Sequence, residues 1–153
     1  MNSLYIALHI LSVVIWVGGM AFAHRFLRPV VAAQLEPPQR LRLWVGVFSN
    51  FFPLVWLAII LLPVTGYGMI FGVWGSMAAV PVYVHIMNGL GTIMIMIFLH
   101  VYFAPFKKLK VAVNEENWPA GAQALNQIRM LVGINTILGL LVIIIASAGR
   151  YGF

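Results

Sequence analysis

With 153 residues, of which 63% are hydrophobic and 8% charged, the chain has too little polar surface to cover a soluble globule and belongs in a bilayer. Nine Lys and Arg against three acids give a net charge of +6, which in a membrane protein reports orientation and argues against a nucleic-acid partner. Cysteine is absent, which excludes disulfides, thiolate catalysis and Cys-ligated zinc or iron-sulfur centres, so any metal must use His, Met or a cofactor.

The apolar runs predict four spans of roughly 20 residues each in a single transmembrane domain, residues 1–153. The fold class expected is an all-α up-down four-helix bundle. Residues 1–3 lack a basic n-region, so the first run, about 4–26, reads as a retained span although Ala21-Phe22-Ala23 has the small residues of a cleavage site. Arg28 and Pro29 end it, and residues 34–42 (QLEPPQRLR) read as a polar loop with a stiff Pro37-Pro38 step. The second span, about 49–71, holds Pro53 and Pro63, which remove backbone donors and should kink it unless neighbouring helices satisfy the freed carbonyls. An uncharged connection, residues 72–81 with Trp74, leads to the third span, 82–103. Residues 105–121, with three lysines, Glu115, Glu116 and Trp118, predict an amphipathic turn or two at the surface before the fourth span, about 122–148. Basic residues gather in the first and third connections, so the positive-inside rule puts both termini outside a bacterial inner membrane.

All four histidines lie in spans one and three, His9 with His24 and His85 with His100, each pair fifteen residues apart. On a helix this spacing leaves two rings on nearly the same face, separated by roughly 22 Å along the axis. The stripe through the first pair runs His9, Ser12, Val13, Trp16, Met20, His24, and the second runs His85, Asn88, Gly89, Thr92, Met96, His100. Polar stripes in a membrane are expected to face the bundle interior, across which the first and third helices of an up-down bundle lie diagonally. His9 would then face His85 in the outer leaflet and His24 would face His100 in the cytoplasmic one. A gap of that width suits a flat macrocycle with an axial His on either side, predicting two b-type haems. Gly18, Gly19, Gly89 and Gly91 would give such rings space.

Two other readings stand beside this one. The histidines could be satisfied by Ser12, Asn88, Thr92 or backbone carbonyls as ordinary interhelical contacts. Alternatively Met20, Met87, Met94 and Met96 could join them in passing copper. Arg25, directly after His24, is the arginine best placed for a haem propionate, while Arg28, Arg40, Arg42 and Arg129 read chiefly as orientation determinants. Asn135 and Thr136 on span four read as interhelical polar contacts. No carboxylate lies within a span, which argues against a proton-pumping acid relay, and no nucleotide or Ser-His-Asp signature is present.

Leu8-His9, Trp16-Val17-Gly18-Gly19, Arg25, Gly66-Tyr67-Gly68-Met69, the run from His100 to Pro105 and Gly149-Arg150-Tyr151 resemble the copper-resistance D (CopD) family of small integral membrane proteins, over all four spans. That resemblance implies a copper-related role, with larger members working beside periplasmic partners. The first-span pattern of His, Trp seven residues on, Gly and a later Arg is also similar to HemJ-type protoporphyrinogen oxidases, which are membrane haem proteins. Their third span has a Lys two residues after its His, where this chain has Met87 after His85. The reading expected is therefore a cytochrome b-like protein that moves electrons across the membrane. A quinone would meet it at one surface and a redox or copper protein at the periplasmic one. A HemJ-like protoporphyrinogen oxidase, which would be a haem-dependent membrane oxidoreductase, and a copper-uptake or copper-resistance membrane protein are the alternatives.

Overall fold

The computed structural model describes residues 2–152, and among them there is helix but no strand. The elements are α1 (Asn2–Phe22), a π-helical turn (Ala23–Leu27), α2 (Arg28–Gln34), α3 (Pro37–Val73), a short 3₁₀ turn (Met77–Ala79), α4 (Val82–Phe103), α5 (Pro105–Asn114) and α6 (Trp118–Gly149). Four apolar rods are long enough to cross a membrane: Asn2–Gln34, Pro37–Val73, Val82–Asn114 and Trp118–Gly149, of 32 to 37 residues each. At 1.5 Å per residue each is about 50 Å long, well beyond the ~30 Å of a hydrocarbon core, so the bundle projects past the membrane. The projecting parts contain the cationic residues of α2, of the start of α3 and of α5.

The predicted spans are recovered, and the third matches α4 to the residue. The first connection differs from expectation. Only Leu35 and Glu36 leave the helical conformation, both extended, and Pro37 and Pro38 open α3. Proline at the first helical position gives up an N–H that would have no partner there, and it forces the residue before it to be extended. The Arg40 Nη2 donates to the carbonyls of Ala32 (3.2 Å) and Leu35 (3.1 Å), closing the end of α2. Helix α3 runs on through Pro53 and Pro63. Residues 105–114 form one ten-residue helix that follows α4 after a break at Ala104, buries Phe106, Leu109 and Ala112 against the bundle and leaves its three lysines exposed.

Close approaches fix the topology. An added Cβ at Gly68 would meet Tyr5 at 2.7 Å, and Gly72 faces Asn2, so α1 and α3 run antiparallel. Gly149 lies against Tyr83 and Gly139 against Met94, which makes α4 and α6 antiparallel, while Gly139 also touches Val17 of α1. Aromatic edges between Phe52 and Phe98 (5.4 Å) and between Trp56 and Phe98 (5.6 Å) join α3 to α4. The order around the bundle is therefore span one, two, three, four, in up-down succession. The core is aromatic at the end of the bundle that carries α5: Trp44, Phe48 and Phe52 stack along α3, and Phe106 of α5 meets Phe52 edge-on at 4.8 Å.

Candidate functional site

The π turn is where the sequence builds a site. Pro29 has no N–H for the carbonyl of Arg25, and its ring would crowd that carbonyl in a regular α-helix. The chain widens instead, with the Arg28 N–H bonding back to the Ala23 carbonyl, five residues earlier. Such single π turns often mark functional positions. His24 sits in this turn, and its ring lies across Gly133 of α6, where an added Cβ would stand 2.9 Å from Cε1 and 3.2 Å from Nε2. Glycine at that position makes the room the imidazole occupies.

His24 borders a cavity of about 620 Å³ between α1–α2, the start of α3 and the first half of α6. Arg28, Arg40 and Arg129 line it together with the apolar walls Trp44, Phe48 and Ile128. Arg28 Nε donates to the His24 carbonyl at 3.2 Å, which holds that guanidinium beside the ring. Arg40 presents a buried Nε with no hydrogen-bond partner. Among the described residues neither His24 ring nitrogen makes a hydrogen bond, and the one salt bridge, Arg42 to Glu116 at 3.7 Å, lies elsewhere. Three guanidiniums without a carboxylate, one of them carrying a buried unpaired donor, could pair with anionic groups. Trp44, Phe48 and Ile128 offer apolar contact to the remainder of such a ligand.

The remaining predicted residues are distributed differently from the expectation. His9 faces span two: its Nδ1 lies 2.8 Å from Thr65 Oγ1. The Thr65 hydroxyl donates its own hydrogen to the Leu61 carbonyl at 2.6 Å, so His9 is the donor to Thr65. Ser12, Trp16 and Met20 of the same stripe are buried, whereas span three turns the opposite face inward. Met94, Phe98 and Val101 are the buried residues of α4, while His85, Thr92, Met96 and His100 are exposed on the outside of the bundle. The diagonal between spans one and three is occupied at mid-depth by the Trp16–Phe98 contact, 6.4 Å between ring centres. The structure therefore brings none of the histidines into contact with another, and no group of three His or acidic side chains converges among the described residues. Arg25 is exposed, its guanidinium 5.9 Å from the Phe26 ring, and Arg28 lines the cavity in its place.

His9 and His24 meet different neighbours, Thr65 of α3 and Gly133 of α6, and His24 takes its place within the π turn rather than on the regular helix. Thr65→Val keeps the shape and removes the acceptor for His9. It should lower stability to denaturation in detergent by about 0.6 kcal/mol, the size of an average interhelical hydrogen bond in a membrane protein, and leave ligand binding at the His24 cavity unchanged. An unchanged denaturation midpoint would show that the bond carries no weight.

Asn135 and Thr136 are buried on α6 as interhelical reading implied for the first of them: Asn135 Nδ2 donates across to the Met94 carbonyl at 3.2 Å. Thr136 bonds its own helix at the Val132 carbonyl. The participation of Arg28, Arg40 and Arg129 in one site was not legible from their spacing, since they come from three separate segments. The only local hint was the His24, Arg28 pair, four residues apart before Pro29.

The family model for CopD, Copper resistance protein D, matches residues 45–148, from early in α3 through nearly all of α6, with Arg129, Gly133 and Asn135 inside the match and His24, Arg28 and Arg40 before it. No curated protein matches the chain, and no solved structure does. Four membrane-length helices and a family match over two thirds of the sequence make this chain a member of the CopD family of membrane proteins.

Proposed function

We propose that this protein binds one b-type haem in the His24 cavity and acts as a one-electron carrier at the cytoplasmic side of a bacterial inner membrane. The single observation that supports the reading is the meeting of an unpaired imidazole with three uncompensated guanidiniums on an apolar-walled cavity of about 620 Å³. A haem needs a ligand for its iron, partners for its two carboxylates and an apolar wall to lie against, and these residues offer a candidate for each. His24 would hold the iron. Arg28, Arg40 and Arg129 would hold the propionates, Arg40 through its free Nε, while Trp44 and Phe48 exclude water from one wall. Haem, when bound, supplies reversible one-electron chemistry. The protein's own part is to hold the propionates by charge and to keep His24 oriented over Gly133. The basic character of this end of the bundle supports its placement in the cytoplasm.

The family match favours a second reading, in which the chain handles copper. Electrostatics weigh against copper at this cavity, because three guanidiniums repel a cation from the neighbouring imidazole. Purification from membranes separates the two. The haem reading expects a Soret band and about one haem per chain by pyridine haemochrome. Stoichiometric copper with no Soret band would replace it with copper handling, and turnover of protoporphyrinogen by the haem-loaded protein would add an oxidase activity to it.

A further inference from the structure

Next to the His24 cavity lies a second, smaller one, and the two share Ala23, Phe48 and Val132 in their walls. It measures about 230 Å³ and is lined by aromatic rings, among them Trp16, Phe51, Phe52 and Phe98. A dry apolar cavity of about 150 Å³ is enough to take a benzene ring, so this one has space for a six-membered ring with substituents. Exposed Phe22 is part of its wall, which puts a mouth on the outer surface of the bundle, where lipid lies. Two polar side chains interrupt the apolar lining, Trp16 through its indole N–H and Asn135. Asn135 is 2% exposed, its Nδ2 is engaged by the Met94 carbonyl, and its Oδ1 is buried with no hydrogen-bond partner.

A buried acceptor without a donor is costly, and native proteins leave few of them unless a ligand or ordered water completes the bond. We infer that this cavity binds the head group of a lipid-soluble quinol, with one ring hydroxyl donating to Asn135 Oδ1. The aromatic walls stack on the ring, and the isoprenoid tail leaves past Phe22 into the bilayer. The chemistry selects an oxidation state. The unpaired atom is an acceptor, which a quinol hydroxyl satisfies and a quinone carbonyl does not, so the reduced form binds more tightly. The binding does not depend on the haem reading.

The test is anaerobic calorimetric titration of the full-length protein in nanodiscs with decylubiquinol and, separately, decylubiquinone. One saturable site per chain is expected, with the quinol bound about tenfold more tightly, the margin of one satisfied buried acceptor. Asn135→Leu should abolish that preference. Equal affinity for the two forms in the unaltered protein, no saturable binding of either, or a preference that survives Asn135→Leu would each overturn the inference, and the first two need no variant to fold. Absence of quinol binding in a protein that carries haem removes the inference alone. Quinol binding in a protein that carries none removes the haem reading alone.

Discussion

Replacing His24 by Ala is expected to strip the protein of its haem, lowering affinity on the order of a hundredfold or more. Outer-shell partners of a metal ligand typically cost 10- to 100-fold when removed, so loss of the ligand itself should exceed that. The corresponding variants at His9, His85 and His100 should retain the Soret band, because His9 is engaged by Thr65 and the other two lie on the outside of the bundle. Spectra of the four membrane-purified variants, normalised to protein, check this. Retention of haem by His24→Ala, or its loss from His85→Ala or His100→Ala, would return the ligands to the span-three face.

The second large effect is expected at the arginines. Hydrogen bonds to charged groups contribute about 1.5–3 kcal/mol, so Arg28→Gln and Arg129→Gln should each weaken haem retention by about ten- to a hundredfold. Arg28→Lys tests geometry separately from charge: it keeps the cation but loses the Nε donor that ties residue 28 to the His24 carbonyl, and with it the planar fork suited to a carboxylate. It should therefore recover only part of the loss. Competition for haem by apomyoglobin, read at the Soret band, measures all three. Arg25→Gln is the comparison, since Arg25 stacks over Phe26 away from the cavity and should leave retention unchanged. A loss at Arg25 equal to that at Arg28 would mean that basic charge alone, and not the cavity, holds the cofactor.

Hydropathy located the spans because a hydrocarbon core demands about 20 apolar residues, and α4 coincides with its run from Val82 to Phe103. Helix ends outside the lipid were less legible. Arg40, Arg42 and the Pro37-Pro38 step read as loop, yet a helix that projects into water needs no hydropathy and Pro37 is a good first residue for it. The inward face of span one was readable through Ser12, Trp16 and Met20, the polar and bulky members of one stripe. Span three is apolar on nearly every side, so its few polar residues pointed to the wrong face. Asn88 is satisfied by the Tyr67 hydroxyl at 3.0 Å and Thr92 by its own helix at the Asn88 carbonyl, and neither needs the interior. Phe98 and Met94 take the interior instead, packed near Trp16 and Gly139. The basic cavity escapes any periodicity argument, because Arg28, Arg40 and Arg129 meet only when α2, α3 and α6 pack and only after the π turn has set His24 against Gly133.

The placement of iron tests this account most directly. An anomalous difference map at the iron edge, from crystals of the membrane-purified protein, should show one peak per chain beside the His24 ring, on the side of the cavity bounded by Arg28, Arg40 and Arg129. A peak between spans one and three, two peaks per chain, or anomalous signal at the copper edge in its place would contradict it.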